Sequence, residues 1–401
     1  MPGILPDGEP VPADGSLPAS ALVDADRAFG VYVHVPFCAT RCGYCDFNTY
    51  APGEGAVREG YVDAVLAELE LAGRVLGDGR AVDTVFVGGG TPTLLDPGDL
   101  GRILTAIDTT WGLAADAEIT TEANPESVGP VSLRALRLAG YNRISIGMQS
   151  AAPHVLSVLD RRHTPGRALA AVGEAHAAGF EHVNVDLIYG TPGETADDFA
   201  ASLDAVVAAG VDHVSAYALI VEDGTRLAAR MRRGELPYPD DDVAAERYAT
   251  ADAALSAAGF AWYEVSNWTR SGAARCRHNL LYWTGGDWWG IGPAAHSHVG
   301  GVRWWNVKHP GAYADRLAAG ESPAQAREIL TTAERRTEDV MLRLRLWTGL
   351  PLSALDTVGR LAARRVADDG LLDADAYARG RAVLTLRGRL LADAVVRALL
   401  P

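Results

Sequence analysis

Six short apolar stretches recur along the first half of the chain, and segments with helical periodicity lie between them. Because these stretches are nearly continuously apolar, they predict parallel strands that are covered on both faces. Several of the intervening amphipathic segments end at a glycine, which suits a helix C-cap. The predicted strands are Val31–Val35, Val82–Val87, Glu118–Glu122, Arg143–Gly147, His182–Ile188 and His213–Leu219, and the predicted helices include Tyr61–Leu76, Val131–Ala139, Arg167–Ala178 and Ala196–Ala208.

Six strand–helix units in a row predict a parallel barrel or an open doubly wound sheet, and periodicity alone leaves both open. The residues before the first strand are rich in Pro, Gly, Asp and Ala, which predicts a flexible leader. The predicted units are the leader 1–27, a barrel 28–270, a Trp/Gly-rich connecting region 271–330 and a C-terminal domain 331–401. The last unit is expected to be mostly helical and winged-helix-like, with a short strand segment Ala382–Leu386 and a final helix Leu390–Leu400.

The composition narrows the class of protein. Of the 401 residues, 48% are hydrophobic and 22% are charged, which is typical of a soluble globular protein. The formal net charge of −15 argues against nucleic acid or an anionic membrane surface as the main partner, because both are negative. No apolar run approaches the roughly 18–20 residues that span a bilayer, and the start does not resemble a signal peptide. We therefore expect a cytoplasmic protein.

Three of the four cysteines lie close together on one segment, Cys38-Ala-Thr-Arg-Cys42-Gly-Tyr-Cys45, directly after the first predicted strand. Clustered thiols in a reducing compartment indicate a metal site and not a disulfide. Three thiolates on a short loop can bind three corners of a cubane iron–sulfur cluster and leave one iron open. Zinc is the alternative, because Cys276 and several histidines can supply a fourth ligand.

This spacing after a first strand resembles the radical S-adenosylmethionine family. The resemblance implies a [4Fe–4S] cluster whose open iron is chelated by the amine and carboxylate of S-adenosylmethionine. It also implies a partial (β/α)6 parallel barrel, with the cofactor at the carboxyl ends of the strands.

Several other predicted strands end in residues suited to ligand binding, where barrel enzymes keep their chemistry. The run Gly88-Gly89-Gly90-Thr91 lets a ligand approach the backbone and offers amides to a carboxylate, although a tight turn has the same signature. Asp186 lies in an apolar strand, where a carboxylate needs a partner or a ligand. Glu122 can accept hydrogen bonds from ribose hydroxyls, or it can cap the following helix. Arg161 can bind a carboxylate through two hydrogen bonds, or it can lie at a solvated helix end.

These positions match the pattern of the anaerobic coproporphyrinogen oxidase branch of the family, from about Val31 to Leu219. The resemblance implies that Cys38, Cys42 and Cys45 bind the cluster. It implies that S-adenosylmethionine contacts Tyr32, Tyr44, Gly89, Gly90, Thr91, Glu122, Gln149, Arg161 and Asp186.

Two relatives share this pattern: the oxygen-independent coproporphyrinogen III oxidase and the HemW-type haem chaperone. The oxidase loop has a fourth cysteine two residues after the third, and this chain has Phe47 there. The oxidase also has a longer N-terminal arm than the leader of this chain. In addition, Cys276-Arg-His278-Asn279-Leu-Leu-Tyr282-Trp283 matches the His-Asn-x-x-Tyr-Trp signature of the chaperone type.

An imidazole can ligate haem iron, and aromatic rings can stack on a porphyrin. His278 is therefore the candidate haem contact, with Trp288, Trp289, Trp304 and Trp305 enlarging the aromatic surface. A hydrogen-bonded core histidine is the competing interpretation. The iron ligand stays open among His278, His296, His298 and Cys276.

The sequence hypothesis is a haem chaperone that carries a [4Fe–4S] cluster and S-adenosylmethionine and transfers haem to respiratory apoproteins. The alternative is the oxidase, which decarboxylates coproporphyrinogen III in haem biosynthesis. A third hypothesis, from another class, is a zinc-bearing regulatory or scaffold protein. The residues name no electron donor, and they leave transient membrane association, oligomerisation and productive cleavage of S-adenosylmethionine open.

Overall fold

The computed structural model describes residues 7–24, 27–55, 58–77 and 79–400. Its strands are β1 (Phe29–Val35), β2 (Val82–Gly89), β3 (Leu113–Ala123), β4 (Arg143–Gln149), β5 (His182–Tyr189), β6 (His213–Ala218), β7 (Ala261–Glu264), β8 (Asn267–Thr269), β9 (Asp287–Ile291), β10 (His296–Val299), β11 (Val302–Asn306), β12 (Ala324–Ile329), β13 (Leu350–Pro351) and β14 (Arg381–Ala382).

The helices begin with those that cross between the barrel strands and end with those of the C-terminal region. They are α1 (Tyr61–Leu76), α2 (Pro97–Trp111), α3 (Pro130–Ala139), α4 (Pro153–Val158), α5 (Arg167–Ala178), α6 (Ala196–Ala208), α7 (Arg226–Arg232), α8 (Asp241–Ala257), α9 (Arg277–Trp283), α10 (Pro310–Ala318), α11 (Thr332–Arg343), α12 (Thr357–Asp368), α13 (Ala374–Ala378), α14 (Leu386–Leu390) and α15 (Ala392–Leu399).

Twelve of the described strands form one sheet in the order β12-β11-β10-β9-β1-β2-β3-β4-β5-β6-β8-β7. Strands β1 to β6 run parallel to one another, as the sequence predicts, and β9 joins them in parallel on the other side of β1. Antiparallel strands extend both ends of this parallel centre. The predicted partial (β/α)6 barrel is therefore confirmed, and its sheet continues beyond the six predicted strands.

The two faces of the parallel strands differ in chemistry. Apolar side chains from the outer face, such as Val31, Val85, Ile144 and Val185, pack against the surrounding helices in the main hydrophobic core. Barrel interiors are usually filled by Val, Ile and Leu as well. Here the inner face carries polar side chains instead, among them Thr120, Ser145, Asn184, His213 and Ser215, which line an interior cavity. The barrel interior is thus a polar compartment.

Residues 7–24 differ from the free leader that the composition predicts. Glu9 and Arg327 of β12 exchange backbone hydrogen bonds, and Arg327 also pairs with the Glu9 carboxylate at 2.7 Å. The Leu22 amide donates to the carbonyl of Gly300 at 2.9 Å. Of the predicted leader, residues 1–6, 25 and 26 lie outside the described residues. The three boundaries between the four predicted units stay predictions.

The C-terminal region is mostly helical, as predicted, and has a hydrophobic core of its own that includes Val340, Val366 and Val396. Its small sheet pairs β13 with β14. The predicted strand segment Ala382–Leu386 reaches the sheet only at Ala382, because Leu386 already begins α14. A two-bond ion pair, with both N–O distances 2.8 Å, joins Arg389 to Asp252 of α8. In the part of the chain that is described, no helix is both long and apolar enough to cross a membrane.

Candidate functional site

The three clustered cysteines lie on the loop between β1 and α1. Backbone hydrogen bonds close the base of this loop, from the Cys38 amide to the Tyr50 carbonyl at 3.0 Å and from the Tyr50 amide to the Pro36 carbonyl at 2.7 Å. A Cβ atom on Gly43 would lie 2.6 Å from a carboxylate oxygen of Asp160. The glycine therefore lets the cysteine loop lie directly on the turn that follows α4.

The carboxyl ends of the parallel strands and this loop surround a cavity of about 720 Å³. That volume is in the range of cofactor sites. The cavity brings together eleven of the twelve residues predicted for the cluster and S-adenosylmethionine, namely Cys38, Cys42, Cys45, Tyr44, Gly89, Gly90, Thr91, Glu122, Gln149, Arg161 and Asp186.

The thiols of this cavity have the donor chemistry of an iron–sulfur site. All three are free cysteines, and burial raises the pKa of Cys38 and raises that of Cys45 to about 11. Arg161 Nη1 donates to Cys42 Sγ at 3.5 Å. Among the described residues, no three His, Cys, Asp or Glu side chains are grouped for a single shared ion. A cubane presents a separate iron to each cysteine, so the three thiolates fit that group.

The glycine run at the end of β2 differs from the expectation that its amides receive a ligand carboxylate. A Cβ on Gly90 would lie 2.5 Å from the Phe37 carbonyl oxygen, so this glycine allows close packing against the cysteine loop. The amides are already bonded within the protein: Gly89 donates to Glu122 Oε2 at 3.0 Å, Gly90 to the Val35 carbonyl at 2.8 Å and Thr91 to the Phe37 carbonyl at 2.7 Å.

Two carboxyl groups face the inside of the barrel below the cysteine loop. Burial, reinforced by the charge of Asp186, raises the pKa of Glu122 to about 8. Burial also raises the pKa of Asp186, although Ser145 Oγ and Asn184 Nδ2 each donate to this carboxylate at 2.8 Å. Glu122 is therefore largely protonated near neutral pH, and it can donate a hydrogen bond as well as accept one.

A second cavity of about 190 Å³ lies in the barrel interior and shares Glu122 and Asp186 with the first. Tyr32 lies here, and of the residues predicted for the cluster and S-adenosylmethionine it is the one that does not line the large cavity. Its hydroxyl donates to His34 Nδ1 at 2.9 Å, because His34 Nε2 donates to the Asn48 carbonyl. Tyr32 therefore shares the interior cavity with Glu122 and Asp186 but lies away from the other predicted S-adenosylmethionine ligands.

His278 also lies in this interior cavity, with only 1% of its surface exposed. Its Nδ1 atom is 2.9 Å from the Thr84 hydroxyl, and its Nε2 atom is 2.8 Å from the Tyr282 hydroxyl. Burial lowers the pKa of His278 to about 3, so the imidazole is neutral. The prediction that His278 contacts haem does not fit this position, because both ring nitrogens are bonded and the space is too small for a macrocycle.

The neighbouring haem candidates are also mostly internal. Cys276 is buried against Glu118 Oε1 at 3.6 Å, and His298 Nδ1 donates to the Gly286 carbonyl at 2.9 Å. Trp289 and Trp304 pack edge to face in the core, with ring centroids 4.8 Å apart. The aromatic region is therefore mainly a packing cluster. Of the four candidate iron ligands, His296 alone is exposed.

Among the cavity residues that the sequence did not predict, three have polar groups that bear on the site. Ser145 bonds Asp186, and Tyr217 lines both cavities. His163 is buried, its Nδ1 has no hydrogen-bond partner among the described residues, and burial lowers its pKa to about 4. The alternation of polar and apolar residues along β4 and β6 is the sequence signal that points to Ser145 and Tyr217.

Three exposed apolar side chains lie at the open rim of the large cavity, beside exposed charged residues such as Arg162. Phe47 is 56% exposed, Ile220 is 68% exposed and Tyr217 is 41% exposed, and all three line the cavity. Single exposed apolar residues are common on protein surfaces, whereas a group of them around one opening marks a binding surface.

Comparison with known proteins identifies the family. The model of the radical SAM superfamily matches residues 32–206. The haem chaperone HemW of Mycobacterium tuberculosis is 60% identical over 93% of this chain and 95% of its own length, and HemW of Bacillus subtilis is 32% identical over 92% and 98%. The solved structure of Escherichia coli coproporphyrinogen III oxidase, a radical SAM enzyme, superposes with a TM-score of 0.81 at 25% identity, covering 95% of this chain and 92% of that one. The chain belongs to the HemW family within the radical SAM superfamily.

Proposed function

We propose that the protein is a haem chaperone, which binds haem and transfers it to respiratory apoproteins. The observation that carries this proposal is the near-full-length identity to proteins named haem chaperone HemW. Phe47 supports it, because the oxidase has a cysteine at this position of the loop and here an exposed aromatic ring lies at the cavity rim.

The proposal includes a [4Fe–4S] cluster on Cys38, Cys42 and Cys45, with S-adenosylmethionine at its open iron. When bound, the cluster supplies one-electron chemistry and the open iron supplies a chelation site. In the large cavity, Glu122 and Asp186 offer hydrogen-bonding groups for hydroxyls or an ammonium. The packed cysteine loop and the buried strand ends keep this part of the cavity away from bulk water.

We place the haem at the rim of the same cavity and not at His278. A porphyrin is a flat, largely apolar ring, and Phe47, Ile220 and Tyr217 offer exposed apolar surface around the opening. Burying such side chains against an apolar ligand contributes about 25 cal/mol for each Å² removed from water. The haem then lies over the cofactor cavity, and its exposed edge faces the acceptor.

The test is an anaerobic haem titration of the cluster-reconstituted protein, followed by the Soret band. Ile220→Ser should weaken haem binding by about tenfold, since burial of one large aliphatic side chain is worth roughly 1.5–3 kcal/mol. Leu138→Ser is the matched control, because Leu138 is 89% exposed but lies on the outer helix α3, away from the cavity. Equal haem affinity in both variants would refute the proposed position of haem at the rim.

The oxidase is the second candidate function, favoured by the close superposition on coproporphyrinogen III oxidase. Conversion of coproporphyrinogen III under reducing conditions, without a Soret shift on haem addition, would establish the oxidase and exclude the chaperone. The proposal further places the protein in the cytoplasm, with haem-accepting respiratory proteins as partners. Transfer of bound haem to an apo-cytochrome, followed by absorbance in the presence and absence of vesicles, tests both the acceptor class and membrane association.

A further inference from the structure

Arg161 connects the cysteine loop to the end of strand β4. It follows α4 in the chain, and its backbone amide donates to the Leu156 carbonyl at 2.9 Å. One end of its guanidinium, Nη2, donates to the Gly147 carbonyl at 2.7 Å. The other end, Nη1, donates to Cys42 Sγ at 3.5 Å. The side chain is thus held at two fixed points, one of which is a cysteine of the cluster loop.

The backbone of β4 is shaped to hold this guanidinium. A register shift between Gly147 and Gln149 marks a bulge at the end of the strand, and Gln149 has a φ of 71°, in the left-handed region. A Cβ on Gly147 would lie 2.8 Å from Arg161 Nη2. A glycine is therefore needed at this position if Arg161 is to lie against the strand.

The charge of Arg161 is also not neutralised by a salt bridge. Among the described residues, no carboxylate oxygen lies within ion-pair distance of its nitrogens. The carboxyl of Asp186 faces the same cavity and attracts Arg161 without a direct salt bridge, and Ser145 and Asn184 donate to it. Because Arg161 is positively charged, the sulfur of Cys42 lies next to a cation and also accepts a hydrogen bond from it.

Hydrogen bonds to ligand sulfurs and nearby charge are two of the factors that set the reduction potential of an iron–sulfur cluster. A reduced cluster carries one more negative charge than the oxidised cluster, so a buried cation beside it stabilises the reduced state. We propose that Arg161 raises the reduction potential of the cluster through its hydrogen bond to Cys42. Arg161 is in this respect a positioning and tuning residue, and the inference rests on the proposed cluster.

The residue next in the chain supplies a matched control. Arg162 also lines the cavity but is exposed, and it forms no hydrogen bond or ion pair with any described residue. Substitution of either arginine by methionine removes one positive charge from the same segment. Only the Arg161 substitution removes the contact to the cysteine sulfur.

The experiment is an anaerobic redox titration of the reconstituted cluster, followed by electron paramagnetic resonance without S-adenosylmethionine, for the wild type, Arg161→Met, Arg161→Lys, Gly147→Ala and Arg162→Met. At the wild-type midpoint, Arg161→Met should lower the ratio of reduced to oxidised cluster by about tenfold, equivalent to 59 mV for one electron. Gly147→Ala should also lower this ratio, although the arginine is retained. The ratio for Arg161→Lys should lie between those of the wild type and Arg161→Met. Arg162→Met should match the wild type.

Iron and sulfide are assayed on each protein first. If the wild-type protein holds no cluster, the proposed cofactor is refuted, and the role of Arg161 falls with it. A cluster-loaded Arg161→Met protein with the midpoint of Arg162→Met would overturn the inference. If Arg161→Met does not assemble a cluster, the midpoints of Gly147→Ala and Arg161→Lys are compared with that of Arg162→Met instead. Midpoints equal to that of Arg162→Met would overturn the inference.

Discussion

Replacing His278 by asparagine tests whether this residue is a hydrogen-bonded core histidine or a haem ligand. The imidazole is 1% exposed, bonds Thr84 and Tyr282 and stacks on Phe86 with ring centroids 5.3 Å apart. A typical intramolecular hydrogen bond contributes about 1 kcal/mol net, so loss of both should cost about 2 kcal/mol at pH 7.5, before any loss of packing.

The pH dependence of stability gives a second measure of the same substitution. The pKa of His278 is about 3 in the folded protein against an ordinary 6.5, so the unfolded chain binds more protons below pH 6.5. Stability from this residue is present above pH 6.5 and falls as the pH drops toward 3. Between pH 7.5 and 5.5 the loss amounts to about 1.4 kcal/mol, and His278→Asn should not show it.

The assay is urea unfolding of the cluster-free protein at both pH values, with the haem titration run in parallel. His176→Asn is the control, because His176 is an exposed histidine on α5. If His278→Asn loses haem binding but keeps its stability and its pH dependence, the reasoning is refuted and the imidazole is accessible to haem.

Three further predictions concern the cysteine loop, the contact between the C-terminal region and α8, and the buried carboxylate of α1. Cys42→Ala should lower the iron and sulfide content of the reconstituted protein and remove its broad absorbance near 400 nm, which metal analysis and spectroscopy check. Arg389→Ala should speed proteolysis of the C-terminal region, because it removes the cation from the half-buried Asp252, which keeps the hydrogen bond from Trp268 Nε1, at a cost of about 1–3 kcal/mol; an unchanged digestion rate would contradict this. Glu68→Ala should destabilise the protein by about 3 kcal/mol or more, since the buried carboxylate accepts from Tyr313 and two other groups, and calorimetry measures the change.

The sequence predicts the parallel centre of the fold well because its signal is local. Each of the six strands carries an apolar outer face, and helices such as Tyr61–Leu76 show their period within their own residues. Strand β9 has no such signal. Its residues, Asp287 to Ile291, pair with β1 across more than 250 residues of chain, and a partner at that distance leaves no local pattern.

The site is predicted in part for a similar reason. Cys38, Cys42 and Cys45 share one segment, so their spacing alone makes them the candidate cluster ligands. His278 shows the limit of motif reasoning, because a histidine next to aromatic residues has the same sequence pattern in a core as in a haem pocket. Its two hydrogen-bond partners, Thr84 and Tyr282, favour the core interpretation, and Thr84 lies far from it in the chain.

The pairing of β9 with β1 also has a consequence for synthesis. The edge of β1 that β9 covers stays open until Asp287 has been made, 258 residues after Phe29. At the usual rate of about 5–20 residues per second, that interval is roughly 13–50 s. During it the nascent chain presents an apolar strand edge beside the cysteine loop, which is a template for pairing with another chain. In a fragment that stops before β9, this edge of β1 stays unpaired permanently. The cysteine loop then follows the edge strand of an aggregation-prone sheet.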